Sequence, residues 1–382
     1  MLGAIIGDIV GSAYEFNPTN EYNFEMFKAG SSFTDDTICT IAIADALLKN
    51  RDYGESLHDW CRRYRKPKGG FGGRFHQWVE SDYPVPYGSY GNGSAMRVSP
   101  IAMWFSSRKA VEEQAERTAA CTHNHPWGIK GAQATAVAGF LARKGLDGET
   151  VSAQMLNDYC DGMSVNYLTY QNRFDETCQG TIPPALDIIR QSTSFEDALR
   201  RAVSLGADAD TLGAIVGGIA EHIWGVPVWM KEQAMRYLTP EMQHVVIDFY
   251  TQCDLRERTS PERIDYLEEN EIFVFGSNMH GFHMGGAANA AMRKFGAIWG
   301  QGDGLQGKSY AISTMEGLAS TAVNVSRFIS FAASHPEMRF LVTAIGCGIA
   351  GYTPEQIAPL FSKAKSLKNV CLPASFWSVL GR

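Results

Sequence analysis

Two short acidic clusters are the residues most capable of chemistry in this sequence. Residues 34–37 read Thr-Asp-Asp-Thr, and residues 208–211 read Asp-Ala-Asp-Thr. Each cluster places two carboxylates and a hydroxyl group at the predicted start of a helix. Hard divalent cations prefer oxygen ligands, and Mg²⁺ in particular binds a few carboxylates together with water. If the fold joins the clusters, a cation between them would relieve their repulsion and could position or activate a water molecule.

The same clusters have a simpler interpretation as helix N-caps. Asp and Thr at a helix start accept hydrogen bonds from backbone N–H groups, and a carboxylate complements the helix dipole. Either cluster alone favours capping. Two nearly identical clusters with glycine nearby favour metal binding.

Helical signals dominate residues 1–253 and predict an all-α domain. Gly3, Gly7 and Gly11 recur every fourth residue, which places them on one helix face and predicts close approach of a second helix. An amphipathic helix is predicted directly after residues 34–37. Further buried helices rich in small residues are predicted at 126–143 and 211–224.

The pattern changes after a charged segment at 254–270, which contains a Ser-Pro turn signal and is predicted to be a linker. In residues 271–382 strands alternate with helices, which predicts a small α/β domain with a largely parallel sheet. A chain of 382 residues is long enough for two domains. The predicted strands are at 271–278, at 339–345 and near 370, and the predicted helices are at 287–297 and 353–366.

Composition narrows the class of protein. Hydrophobic residues make up 45% of the chain and charged residues 20%, and the formal net charge of −7 weighs against a general grip on nucleic acid. The eight cysteines are scattered without a C-x-x-C pair, which favours reduced thiols over zinc or disulfides. Asp8 interrupts the apolar N-terminus, so a signal peptide is not expected. The most apolar later stretch, 211–225, is short and carries Glu221 and His222, so a membrane span is not expected either. We therefore expect a soluble, cytoplasmic protein.

Several motifs, taken in chain order, resemble the ADP-ribosylglycohydrolase family, typified by the enzyme that reactivates dinitrogenase reductase. The resemblance covers roughly residues 1–250. It implies a compact all-helical fold, a centre of two Mg²⁺ or Mn²⁺ ions and hydrolysis of the bond between ADP-ribose and a modified target. The matching segments are 3–15, 33–37, 91–100, 121–126, 174–186 and 206–221.

The resemblance also assigns roles to individual residues. Glu15 matches a glutamate near the reacting sugar and is the candidate general base or substrate-positioning carboxylate, acting with Asp35 and Asp36. The implied metal ligands are Thr34, Asp35, Asp36, Asp208, Asp210 and Thr211. The implied ADP-ribose contacts in this domain are His123 and the loop Gly91, Asn92, Gly93 and Ser94. The backbone N–H groups of the loop suit a pyrophosphate. His123 either contacts the ligand or holds the loop by hydrogen bonds.

Residues 62–74 are the only basic, glycine-rich stretch of the chain. A solvated loop is the favoured interpretation. The alternative is a lid or a contact to an acidic target.

The C-terminal residues resemble a macrodomain more loosely. Glycine-rich turns after strands suit phosphate groups. His280 and His283 are interpreted as loop residues, and the polar stretch 300–312 as a loop that helps to close the pocket. The early strand with an adenine-reading acidic residue is absent from the pattern. The implied ADP-ribose contacts are Asn278, Gly285, Gly286, Gly346, Cys347, Gly348, Gly351 and Tyr352.

The leading hypothesis is a metal-dependent hydrolase that releases ADP-ribose from a protein or other modified target, with a second ADP-ribose-binding module. One alternative is a non-catalytic reader of ADP-ribose, although all the implied oxygen ligands are present. Another is a hydrolase of free ADP-ribose derivatives or of ADP-ribosylated nucleic acid, which the acidic net charge disfavours without excluding it.

Overall fold

The computed structural model describes residues 1–381 and divides into two compact units, Met1–Tyr250 and the residues from Thr251 onward. Among the described residues, no helix is both long and apolar enough to cross a membrane. The helices up to the division are α1 (Leu2–Gly11), α2 (Asp35–Lys49), α3 (Tyr53–Arg63), α4 (Gly73–Glu80), α5 (Gly93–Met96), α6 (Ser99–Trp104), α7 (Arg108–Ala120), α8 (Pro126–Arg143), α9 (Gly148–Tyr159), α10 (Cys178–Gln191), α11 (Phe195–Ser204), α12 (Ala209–Trp224), α13 (Val228–Tyr237) and α14 (Pro240–Glu257).

The first unit is helical, as predicted, and is organised around the contact of α1 with α12. A methyl group added to Gly7 would overlap the carbonyl oxygen of Gly213, and one added to Gly3 would overlap that of Gly217. The close helix approach predicted from the glycine spacing is therefore confirmed. The contact continues to Gly11, which lies against Ala209 at the start of α12. It thus brings the end of α1 beside the second acidic cluster.

The second unit contains a mixed sheet of five strands in the order β2-β3-β1-β4-β5. β1 pairs in parallel with both β3 and β4, β5 pairs in parallel with β4, and β2 is antiparallel to β3 at the edge. Its elements are β1 (Glu271–Ser277), α15 (Gly286–Lys294), β2 (Gly304–Gln306), β3 (Ser309–Ser313), α16 (Leu318–Ser334), β4 (Arg339–Val342), α17 (Pro354–Ile357), β5 (Val370–Cys371) and α18 (Ala374–Leu380).

Both faces of this sheet are buried, which explains the apolar run in β1. Ile272 and Val274 point into one core cluster, whereas Phe273 and Phe275 point into the other. Successive side chains of a strand face opposite sides of a sheet, so a continuous hydrophobic run is what a doubly covered parallel strand requires.

Four local predictions for the second unit need correction. Residues 254–257 are the end of α14, not linker. The stretch 300–312 is not a loop, because it contains β2 and most of β3, joined by a turn in which Gly307 has a φ of +56°. The predicted strand 339–345 ends at Val342. The predicted helix 353–366 is α-helical only to Ile357 and then becomes a 3₁₀ helix at Ala358–Ser366.

Replacement of Gly7 by alanine should destabilise the first unit by about 2 kcal/mol or more, because the new methyl group meets backbone that cannot move aside. Urea unfolding of the purified protein measures this change. Gly73→Ala is the matched control, since a methyl group there meets no atom within 4 Å. Equal stability of the two variants would contradict the proposed role of the α1–α12 contact.

Candidate active site

Asp8 is the buried residue that organises the first acidic cluster. Its Oδ2 accepts hydrogen bonds from the backbone N–H groups of Thr34 at 3.0 Å and Thr37 at 3.1 Å, and its Oδ1 accepts one from the Thr34 hydroxyl at 2.8 Å. The Thr37 hydroxyl also donates to Asp8. Asp8 therefore fixes the turn that begins α2. The sequence analysis missed this role, although a lone carboxylate within an apolar helix was a usable signal.

Capping and clustering are both present at the start of α2. Thr34 is the N-cap, and its Oγ1 accepts a hydrogen bond from the backbone N–H of Asp36 at 3.2 Å. The Asp36 carboxylate points to the second cluster, where its Oδ2 lies 3.5 Å from the Thr211 hydroxyl. The two acidic segments, which are far apart in the sequence, thus meet through Asp36 and Thr211.

The second cluster is held by a residue from the glycine-rich loop. The Asn92 Nδ2 donates to Asp208 Oδ2 at 2.7 Å and to the Thr181 hydroxyl at 3.1 Å. Asp208 occupies the N-cap position of α12 but makes no side-chain capping bond. Its carboxylate is therefore engaged in the cluster and not in capping.

Burial and mutual repulsion shift the carboxyl groups of this cluster in one direction. Burial raises the pKa of Asp36 well above its usual range, and the charges of Asp8, Asp35 and Asp208 raise it further. The pKa of Asp210 is also raised well above its usual range, first by burial and then by the charges of Asp36, Asp208, Glu15 and Asp8. Without a counter-charge, the buried cluster disfavours the ionised form of its carboxyl groups.

The donor set fits divalent cations. Asp36 Oδ1 and Glu15 Oε2 are buried oxygen atoms without a hydrogen-bond partner, and such orphaned oxygens are costly unless a ligand satisfies them. Within residues 1–381 no three His, Cys, Asp or Glu side chains converge tightly enough to hold an ion as they stand. A cation bound here would therefore need these oxygen atoms to lie closer together than they do in this arrangement.

Glu15 follows α1 and joins the edge of the cluster. Burial, then the charge of Asp208, raises the pKa of Glu15 to about 7. A methyl group added to Gly69 would lie 2.9 Å from Glu15 Oε2, so the basic stretch 62–74 passes directly over this carboxylate. The positive charge of Lys68 lowers the pKa of Glu15, and Lys68 itself lies within reach of the charges of Asp210, Asp8 and Glu15. Its ammonium group donates to the Gly30 carbonyl at 2.6 Å. Sequence reasoning did not identify Lys68.

The loop at 91–94 lies beside the cluster but is partly committed to internal bonds. The Gly91 N–H donates to Ser89 Oγ and the Asn92 N–H to the Glu176 carbonyl. The Ser94 side chain is buried and donates to the Gly128 carbonyl. The expectation that all four residues present backbone N–H groups to a pyrophosphate therefore has to be restricted to Gly93 and Ser94.

His123 packs against the same loop. A methyl group on Gly93 would lie 3.3 Å from His123 Nε2, and the Nδ1 of the ring lies 2.7 Å from the Thr122 hydroxyl. Burial, with the charges of Arg97 and Arg74, lowers the pKa of His123 well below its usual value. Burial therefore favours the neutral form of this ring, which is held beside the loop by its contact with Thr122.

A second candidate site lies in the other unit, at the carboxyl ends of β1, β3 and β4. β1 separates β3 from β4, so the strand order reverses there, and ligands bind in the crevice at such a point of parallel sheets. A cleft of 770 Å³ occupies this position. Of the predicted contacts, it is lined by Asn278, Gly285, Gly286, Gly346 and Gly348.

Three side chains predicted to contact a ligand there are otherwise engaged. Asn278 Oδ1 accepts from the backbone N–H groups of His280 and Phe282, and its Nδ2 donates to the Phe282 carbonyl. Cys347 and Tyr352 pack against a hydrophobic core. The N–H of Gly351 donates to the Gly348 carbonyl, which closes the turn. Asn278 still lines the cleft, whereas Cys347, Gly351 and Tyr352 do not.

Buried carboxylates brought together at helix starts are the oxygen donors that divalent cations prefer. The model of the ADP-ribosylglycohydrolase family matches residues 1–258, and the chain therefore belongs to this family of enzymes. The match ends close to the end of α14.

Individual relatives agree with this assignment. ADP-ribosylarginine hydrolase Tri1 of Pseudomonas putida (strain GB-1) is 25% identical over 291 residues, which cover 66% of this chain and 78% of Tri1. ADP-ribosylhydrolase ARH3 of Bos taurus is 31% identical over 309 residues, covering 59% of this chain and 84% of ARH3. A solved ADP-ribosylglycohydrolase-related protein complex has a chain with a TM-score of 0.52 and 22% identity, covering 66% of this chain and 97% of that one. At this identity the structural match shows the fold alone.

The raised pKa of Glu15 predicts a pH effect on stability in EDTA. A carboxyl group whose folded pKa is about 7, against an ordinary 4.5, holds a proton in the folded state that the unfolded state has released. Its stabilising contribution is therefore lost as pH rises between these values. The free energy of unfolding of the native chain, relative to Glu15→Gln, should fall from pH 4.5 to pH 7 in urea titrations. A constant or rising difference would contradict the burial of this carboxyl group.

Proposed function

We propose that the first unit is a divalent-cation-dependent hydrolase that releases ADP-ribose from a modified target. The observation that supports this most is the convergence of both acidic clusters, through Asp36 and Thr211, in a buried site with orphaned oxygen atoms. A solvated pair of helix caps would not need buried, mutually repelling carboxylates.

The proposed ligands of two Mg²⁺ or Mn²⁺ ions are the residues implied by the family resemblance, with Asp8 holding the first cluster in place. When bound, the ions would supply positive charge for the hydroxyl groups of the distal ribose and for a water molecule. The protein itself would exclude bulk water from the oxygen donors and hold them in a fixed orientation. The proposed ligands are Thr34, Asp35, Asp36, Asp208, Asp210 and Thr211.

Glu15 is the proposed proton acceptor or substrate-positioning group. One of its oxygens has no protein partner, and burial brings its pKa to about 7. A carboxylate with a pKa near the working pH can take a proton from water and return it efficiently. Ionised carboxylates around the reacting sugar would also stabilise positive charge that develops at the ribose carbon.

The acceptor is proposed from the relatives. Tri1 is named for ADP-ribosylarginine, whereas the name of ARH3 specifies no acceptor. Arginine-linked ADP-ribose is therefore the first linkage to examine, followed by serine, glutamate and a modified nucleic-acid end.

Release of ADP-ribose from this panel should require Mg²⁺ or Mn²⁺ and should stop in EDTA. Asp36→Asn should lower kcat/KM by roughly a hundredfold or more, because it removes a donor from the cluster. Chromatography of free ADP-ribose measures the release.

Asp248→Asn is the matched control, since Asp248 is exposed and lies outside the cluster. Tight binding of ADP-ribose without release from any substrate would contradict the enzyme proposal and favour the non-catalytic reader. Release that persists in EDTA would contradict the cation requirement.

For the second unit we propose a macrodomain-like role in binding ADP-ribose in the 770 Å³ cleft. The size of the cleft, its position at the reversal of strand order and its glycine-rich walls support this ligand. Glycine walls let a diphosphate approach the backbone closely.

Gly348→Leu should abolish binding at the cleft. A side chain at this position meets no protein atom within 4 Å and would therefore extend into the open space of the cleft. Isothermal titration calorimetry should give a stoichiometry of two ADP-ribose molecules per native chain and one per chain of this variant. Ser326→Leu, on the exposed surface of α16, is the control. An unchanged stoichiometry in Gly348→Leu would contradict the proposed site.

A further inference from the structure

A basic groove lies directly beside the candidate active site. It has a volume of 440 Å³ and is lined by Ser32, Phe33 and residues 63–68. Its wall therefore comes mostly from the basic, glycine-rich stretch 62–74 of a chain whose formal net charge is −7. The cationic side chains in this wall are Arg63, Arg65, Lys66 and Lys68.

The groove is continuous with the acidic cluster. Thr34, a proposed ion ligand, pairs with Lys68 in an isolated parallel bridge. Phe33 precedes Thr34 in the chain, and Gly69, which follows Lys68, lies over Glu15. The basic side chains of the groove thus lie within a few residues of the buried carboxylates.

The cations of the groove differ in how strongly they are already paired. Arg65 forms an ion pair with Glu80 at 3.0 Å, and Arg63 forms one with Glu241. Both pairs are exposed, and such pairs contribute little free energy and exchange partners easily. Lys66 is exposed and has no ion pair among the described residues. Lys66 is therefore the cation most open to a binding partner.

The position of the groove indicates which half of the substrate it meets. Asn92 and the loop at 91–94 lie on the Asp208 side of the cluster, whereas the groove adjoins Thr34 through Lys68. If the loop receives the diphosphate, the groove lies on the side from which the acceptor leaves.

We propose that this groove recognises an acidic peptide segment flanking the modified residue of a protein target. The proposal rests on the proposed hydrolase function. A short acidic segment suits a groove of this volume with a few cations, and the negative charge of the rest of the chain would repel it elsewhere. A nucleic acid would need a longer basic surface to neutralise many phosphates.

The test compares two ADP-ribosylated peptides that differ only in flanking Glu or Gln residues. We compare kcat/KM for the acidic peptide with kcat/KM for the neutral peptide. Their ratio should fall about fivefold in Lys66→Glu, because that factor corresponds to the free energy of a typical exposed charge interaction. The ratio should also fall with added salt. Lys231→Glu, at an exposed lysine of the same unit outside the groove, should leave the ratio unchanged.

A second measurement does not depend on catalysis. Fluorescence anisotropy of a labelled, unmodified ten-residue glutamate-rich peptide should detect salt-sensitive binding that weakens in Lys66→Glu but not in Lys231→Glu. If no peptide releases ADP-ribose and this binding persists, the hydrolase proposal fails while the groove stands.

Three results would overturn the groove proposal. One is efficient hydrolysis with the same peptide ratio in Lys66→Glu and the native chain. Another is a loss of affinity for free ADP-ribose in Lys66→Glu as large as the loss for the peptide, which would assign the groove to the diphosphate. The third is displacement of the peptide by a single-stranded oligonucleotide at much lower concentrations than by unlabelled peptide.

Discussion

The close contact of α1 with α12 is the constraint on which the candidate active site depends. Glycines at the crossing let the two backbones approach until any side chain would overlap a carbonyl group. This approach places Asp8 and Glu15, from the first segment of the chain, beside the cluster at 208–211. Helices separated by ordinary side chains would hold these carboxylates several ångströms further apart.

The result is an arrangement in which stability and function oppose each other. Burying several carboxylates together is unfavourable, and the raised pKa values of Asp35, Asp36 and Asp210 express that cost. The hydrogen bonds that Asp8 accepts and the bond from Asn92 to Asp208 stabilise the cluster only in part. The proposed cation-binding role would account for an unfavourable cluster at the close contact of α1 with α12.

The candidate site of the second unit differs, because it is built around glycine-rich backbone and not around clustered carboxylates. Its cleft lies where parallel strands end and is lined by glycine-rich turns together with apolar residues such as Met284 and Ile349, while polar side chains fix its loops. Glu316 illustrates this: against the effect of burial, hydrogen bonds from Ser313 and the Met279 N–H lower its pKa and fix the loop after β1. The basic stretch 62–74 of the first unit forms a largely exposed loop between α3 and α4, as the favoured interpretation expects, and its Gly69 also lies against Glu15.

The sequence by itself determined the helical first unit, the glycine contact, the ends of α8 and the two acidic clusters, because these depend on local spacing and composition. It also located both glycine-rich turns of the second cleft. Tertiary structure alone decided that Asp8 organises the first cluster, that Asn92 donates a hydrogen bond to Asp208, and that Lys68 and Gly69 lie close to Glu15. It likewise decided that residues 300–312 contribute strands. Their polar and glycine-rich composition shows no clear strand pattern, and β3 is defined only by its pairing with the neighbouring strands. These features depend on contacts between segments far apart in the chain, and no local pattern records which distant partner a buried polar side chain will meet.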